Sequence, residues 1–279
     1  MNNKVAIVSG ANQGLGLALV EGLCKRLGPD ASVYLTARNA MRGNEAVLQL
    51  REKGLSPLFH QLDVNDDASV AALAETVRLQ HGGVDLVISN AAARISRDLP
   101  QAQQVRLFVN TNNHGTFRMI HTFGPLLRDN ARFIVIASGF GSLRNLPPSL
   151  HDKFDIATRS LNDIEKVMDE HTHLVETGQA ESHSWPEWIN IPSKIAQVAS
   201  TKVMARLMRD EASRRGILIN AACPGLIDTE ASRPWFEDMS SAQSPSQAAE
   251  DVLWLATLEP GTELPFGELV QHREILPWL

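Results

Sequence analysis

Tyrosine is almost missing from this chain of 279 residues: Tyr34 is the only one. Any chemistry that needs a phenol elsewhere in the chain is therefore excluded. Cysteine is nearly as scarce, and Cys24 and Cys223 are too few for a disulfide framework or a four-cysteine metal site. A reducing compartment is the expectation. No apolar run approaches the ~20 residues of a membrane helix, and the opening MNNKVAIVSG lacks the charged, apolar and cleavage regions of a secretory leader. A cytoplasmic location follows as the expectation. Basic runs are absent too: no Lys/Arg block exceeds a pair and the formal net charge is -6, which argues against nucleic acid or an acidic membrane surface as a partner. Small molecules or proteins remain. His171 and His173 lie two apart, on different helix faces, and no metal site is predicted.

What is present is a rhythm. Short β-branched runs (VAIVS, SVYLTA, LFHQLDV, VDLVIS) alternate with segments of helical period (GLGLALVEGLCKRL, NEAVLQLREKG, ASVAALAETVRLQ). Two further strands are predicted at 132–138 and 217–223, each after a long helical stretch. This is an α/β doubly wound parallel sheet of Rossmann type, with helices on both faces. No linker or repeat divides the chain, so residues 1–279 read as one domain. Between 144 and 193 the alternation lapses into a polar stretch with Pro147, Pro148 and HSWPEW. That stretch is expected to be an inserted lid with some helix near 158–177, and Trp185 and Trp188 are assigned to its substrate side.

The first strand ends in SGANQGLG at 9–16, with glycines at 10, 14 and 16 leading into a helix. Such glycines allow a tight turn, let the backbone approach a pyrophosphate and let the helix pack close to the strand. The spacing is G-x-x-x-G-x-G. After the second strand stands LTARNAMRG, where a binder of NAD would carry an acidic residue; Arg38 and Arg42 instead suit a 2′-phosphate. NADP(H) is the cofactor these residues favour.

The glycine spacing, LTARNAMRG, FHQLDV at 59–64, SNAA at 89–92, NNHGT at 112–116, SGFG at 138–141 and NAACPGLIDT at 220–229 together resemble the short-chain dehydrogenase/reductases. Within them the chain is most similar to the monomeric carbonyl reductases. The resemblance implies that Gly10, Asn12, Gln13, Gly14, Leu15 and Gly16 hold the pyrophosphate and ribose, and that Arg38 and Arg42 hold the 2′-phosphate. It also implies Asp63 and Val64 at the adenine, Asn90 and Ala91 at the adenosine ribose, and Pro224, Gly225, Ile227 and Thr229 at the carboxamide. Gln13, Ser89 and Ala92 depart from the family pattern, the first by removing a positive charge near the 2′-phosphate.

The family delivers a proton with a tyrosine, helped by a serine, a lysine and an asparagine. The resemblance implies Ser138, Lys202 and Asn112 as the catalytic serine, lysine and asparagine, with Lys202 also on the cofactor ribose, and it sets Val198 where the tyrosine is expected. The alternative register, with Asn190 four before Lys194, restores no tyrosine either; Ser193 there is at most an improvised donor. An atypical reductase is expected, acting on an iminium, an imine or an activated double bond. A ketone or quinone reductase with another donor (Glu187, His183 or the lysine) and a non-reducing NADP(H)-binding scaffold, cyclase or sensor are the alternatives. His114 is expected to be packed or hydrogen-bonded. The inserted segment, by resemblance, covers the face through which other family members assemble, so a monomer is expected.

Overall fold

The computed structural model describes residues 3–279. Eight strands form one sheet in the order β3-β2-β1-β4-β5-β6-β7-β8. They are β1 (Val5–Val8), β2 (Ser32–Ala37), β3 (Leu58–Gln61), β4 (Val84–Ser89), β5 (Leu127–Ile136), β6 (Leu218–Ala222), β7 (Leu269–Gln271) and β8 (Glu274–Leu276). All neighbouring pairs are parallel except β7 with β8. The helices are α1 (Gly14–Leu27), α2 (Ala40–Glu52), α3 (Asp67–His81), α4 (Gln101–Val109), α5 (Gly115–Phe123), α6 (Leu161–Glu176), α7 (Asn190–Arg215) and α8 (Pro245–Ala256). This is the doubly wound α/β domain that the alternation of periods predicts.

Both faces of the sheet are covered because successive side chains of a strand point to opposite sides. Val5 and Ile7 of β1 enter the apolar layer under α3, α5, α6 and α7, while Ala6 and Val8 enter the layer under α1, α2 and α8. Phe133 and Val135 of β5 divide from Ile134 and Ile136 in the same way. A strand buried on both sides reads as an unbroken apolar run, which is why VAIV and FIVI carry no polar alternation.

Chain order reverses between β2 and β4, on either side of β1. The connections leaving β1 and β4 therefore part in opposite directions and open a crevice at the strand C-termini. One long helical stretch crosses this end. It runs through α4, a π-helical turn at Asn110–His114 and α5. An extra residue in a helical turn redirects backbone groups, and such turns recur at functional sites; Thr111, Asn112 and Asn113 are buried in it.

The stretch at 144–193 folds into 3₁₀ turns and α6, which a Ser160–Asp163 capping box starts. Helix α6 packs between α4 and α7, within the body of the domain. The two ends of the stretch, at Asn145 and at Trp188 and Asn190, reach the mouth of the crevice.

Candidate active site

The loop at 9–16 is shaped by what its glycines leave out. Gly10 has φ +63°, and a Cβ there would stand 2.8 Å from the Ala91 Cα. A Cβ on Gly16 would meet the Gly10 carbonyl oxygen at 2.5 Å, so the first turn of α1 can sit on the loop only without a side chain. Gly14 also has a positive φ, of +56°, and a Cβ there would meet only Thr229 Cγ2, at 3.9 Å. No side chain caps α1. Its first N–H groups, and the positive end of its dipole, are left for an anion. Asn90 braces the loop from β4, donating to the carbonyls of Ser9 and Gly10 at 2.9 and 3.1 Å, while Ser9 Oγ accepts the N–H groups of Asn90 and Ala91. Asn90 thus holds the loop, where ribose contact was expected of it.

A groove of about 540 Å³ runs from this loop to the start of α2. Gly10, Asn12 and Gln13 line one end, Arg38 and Arg42 the other, and Asp63, Val64 and Ala91 the wall between. Asn39 caps α2 by accepting from the Arg42 N–H at 3.0 Å, which fixes both arginines beside the groove. Among the described residues, neither guanidinium forms an ion pair. Two unpaired guanidiniums, a free helix N-terminus and an apolar wall at Val64 are the donor set that a phosphorylated dinucleotide requires. The residues fit NADP(H). A Cβ on Gly115 would meet Val64 Cγ2 at 2.8 Å, so the glycine after the π-helical turn lets that wall form.

Ala93 and Arg94 continue this groove into a second cavity of about 530 Å³. Ser138, Asn190 and Lys194 line it together with Gly225, Ile227 and Thr229. Ser138 closes a 3₁₀ turn by accepting the Phe140 N–H, which leaves its own hydroxyl proton free to donate. That turn lies flat on α7 because Gly141 has no side chain; a Cβ would stand 2.6 Å from Val198 and 3.1 Å from the Lys194 carbonyl. Lys194 donates to Gln197 Oε1 at 2.8 Å and to the Ile136 carbonyl at 3.3 Å. Desolvation there lowers its pKa to about 8, against a small opposing effect of Cys223. Burial pushes the Cys223 thiol up, partly offset by the N–H groups of Gly225 and Gly139.

Four expectations need correction. Lys202 does not line the cavity: its ammonium is buried against the Gly267 carbonyl at 2.9 Å and Glu268 at 2.7 Å, over the ring of Trp278, so it fastens β7 and the C-terminal segment. Val198 does not line it either; it is fully buried beside Ala137, Ala221 and Leu269 behind the Ser138 turn. Trp185 is buried against Phe154 and His171, away from the cavity. Asn112 stands behind the site. Its Oδ1 accepts the Ala93 N–H at 2.8 Å and its carbonyl accepts Gln197 Nε2 at 3.0 Å, so it holds the wall rather than facing a ligand. Leu15 is buried in the first turn of α1 and Pro224 is half-buried where β6 ends.

Trp188 lines the cavity, edge-on to Phe140 at 5.1 Å and beside Trp235 at 5.5 Å. His114 is hydrogen-bonded to Glu165 at 2.9 Å, with Asp169 3.0 Å from its other ring nitrogen. The sequence reading missed Phe140, Trp235 and Gln197, and of the two lysines it weighed, Lys194 and not the preferred Lys202 lines the cavity. Asn190 with Lys194 and Val198 with Lys202 have the same four-residue spacing on one helix, so spacing alone does not separate the two lysines. The lone tyrosine is far from this cavity, its hydroxyl engaged with Gln80 and His81 on α3.

Known proteins agree with this architecture. Residues 4–147 match the family described as short chain dehydrogenase. Over 281 residues the chain is 33% identical to carbonyl reductase 1 (NADPH) of Rattus norvegicus, covering 99% of both. The chain belongs to the short-chain dehydrogenases. The human carbonyl reductase 1 (NADPH) is 32% identical over 98% of each chain. Among solved structures, salutaridine reductase from Papaver somniferum has a TM-score of 0.79 at 24% identity, covering 96% of this chain and 99% of that one. Menthone neomenthol reductase from Mentha piperita has a TM-score of 0.77 at 23% identity, covering 96% and 98%. These two share the fold.

Proposed function

We propose that this short-chain dehydrogenase is an NADP(H)-dependent reductase of a double bond that is electron-poor before hydride arrives. The observation that carries the reading is the make-up of the second cavity: its lining holds no tyrosine, aspartate, glutamate or histidine. NADPH, when bound, supplies the hydride. Reduction of an ordinary ketone also needs a proton at oxygen, and losing a positioned donor costs about 10²–10⁴-fold in rate. Two substrate classes escape that need. The nitrogen of an iminium is neutralised by the hydride itself, and an alkene conjugated to a carbonyl becomes an enolate that hydrogen bonds can hold.

The residues present suit such a substrate. Ser138 has a free hydroxyl donor and Asn190, one turn before Lys194, offers a carboxamide to the same space. Phe140, Trp188 and Trp235 supply flat apolar walls for a ring-bearing molecule. Charge separates the two classes. Among the described residues the Lys194 ammonium has no carboxylate partner, so it stabilises a developing enolate and repels an iminium cation. A conjugated enone is the preferred substrate, and the aromatic faces are what an iminium has in its favour.

Lys194 supports a second reading. With a pKa lowered to about 8, its ammonium is an acid close to working pH, which fits a carbonyl reductase using lysine in place of a phenol. The test is NADPH oxidation with matched ketones, quinones, enones and cyclic iminium salts, after cofactor binding has been confirmed by fluorescence. Turnover confined to enones or iminium salts is expected. Ketone turnover at comparable rates establishes the second reading instead, and cofactor binding with no turnover on any class would make the protein a non-reducing NADP(H) binder.

A further inference from the structure

Lys194 is held by another side chain that the chemistry above does not use. Gln197 lies almost entirely out of solvent, at 2% exposure, on the same helix as Lys194. Its Nε2 donates at 3.0 Å to the Asn112 carbonyl and at 3.0 Å to Thr116 Oγ1. Both partners must accept: one is a carbonyl, and the Thr116 hydroxyl already spends its proton on the Asn112 carbonyl at 2.6 Å. The amide therefore has only one orientation that satisfies it, with Oε1 turned to the Lys194 ammonium 2.8 Å away.

We propose that Gln197 is the positioning residue of this site, an uncharged clamp that ties the Lys194 ammonium to the π-helical turn and keeps one of its hydrogens turned to the cavity. An ammonium has three donors and no acceptor. Gln197 Oε1 and the Ile136 carbonyl take two of them, and Lys194 lines the cavity into which the third is available. A lysine loses considerable rotamer freedom when one geometry is imposed, so a fixed acceptor is needed to hold it. A carboxylate would hold it more firmly and cancel its charge. The neutral amide orients the ammonium and leaves its charge and acidity to the ligand. The other titratable or charged groups facing it are Cys223 from the end of β6 and Arg94 across the cavity, the latter paired with Glu230.

The inference rests on Lys194 belonging to the reductase site, and its test is independent of the substrate. The protonation midpoint of Lys194 is read in protein without substrate, by competitive acetylation across pH with mass spectrometry of the peptide that contains it. A midpoint near 8 is expected for the native protein. Gln197→Met removes the acceptor and lowers the midpoint by about one unit, the scale of one hydrogen bond to a charged group. Gln197→Glu supplies a carboxylate and raises it by at least about one unit. A native midpoint near the ordinary lysine value, or two folded variants whose midpoints match the native one, would overturn the proposal. If Gln197→Met fails to fold, the near-isosteric Gln197→Glu decides alone. A silent substrate panel leaves the midpoints standing, while unchanged midpoints sink the clamp whatever the panel shows.

Discussion

Asn190 and Lys194 stand one turn apart on α7 and open onto the same cavity as Ser138. In the resembling enzymes a tyrosine and a lysine have this four-residue spacing, and in the register proposed above Asn190 takes the tyrosine's place. Asn190→Tyr is therefore expected to confer or raise ketone reduction by at least tenfold, measured as NADPH oxidation. Val198→Tyr should confer none. It forces a ring into a fully buried site already touching the Ser138 turn and should cost about 1–3 kcal/mol of stability by thermal or denaturant unfolding. The opposite pattern would show that the register centred on Lys194 is wrong.

The two lysines separate in the same manner. Lys194→Met removes the only ammonium in the cavity lining and should cut turnover at least tenfold in protein that still binds NADPH. Lys202→Met strands Glu268 and the Gly267 carbonyl and should lower stability by about 1–3 kcal/mol, with NADPH binding retained at low temperature. Full activity of Lys194→Met would remove that residue from the chemistry.

Among the described residues no carboxylate pairs with Arg38 or Arg42 at the groove, so their charge is available to a 2′-phosphate. Replacing both with alanine should weaken NADPH binding by about ten- to a hundredfold and leave NADH binding almost unchanged, as read by fluorescence titration. Equal losses for both cofactors would place the 2′-phosphate elsewhere.

His171 is fully buried beside Trp185, and neither ring nitrogen has a hydrogen-bond partner among the described residues. Desolvation lowers its pKa to about 4. The unfolded chain therefore binds more protons than the native one between about pH 4 and pH 6.5, and native stability falls as pH drops through that window. The loss reaches on the order of 3 kcal/mol. His171→Phe should flatten this acid limb in melting temperatures taken from pH 7 to pH 4; an unchanged limb would show that other groups cause it.

Helix α6 packs against α4 and α7. Sedimentation equilibrium is accordingly expected to give the mass of one chain, and a stable dimer or tetramer at micromolar concentration would refute this.

Two kinds of information decided this protein. The alternation of apolar periods, the glycines at 10, 14 and 16 and the arginines at 38 and 42 act over a few neighbouring residues. Backbone sterics, strand pleat and local charge write them into the sequence, and the fold and the cofactor groove were legible there. The absence of a second tyrosine is likewise a fact of composition that no folding alters. The choice between Lys194 and Lys202 is of another kind. Both lie on α7, eight residues apart, and local chemistry does not tell them apart. The bare backbone of Gly141 lets the Ser138 turn settle beside Lys194, while Glu268 and Trp278 arrive from the far end of the chain to claim Lys202. The tie between Gln197 and Asn112 spans 85 residues in the same way. Such contacts exist only once the sheet has brought distant segments together, so only the tertiary structure could decide them.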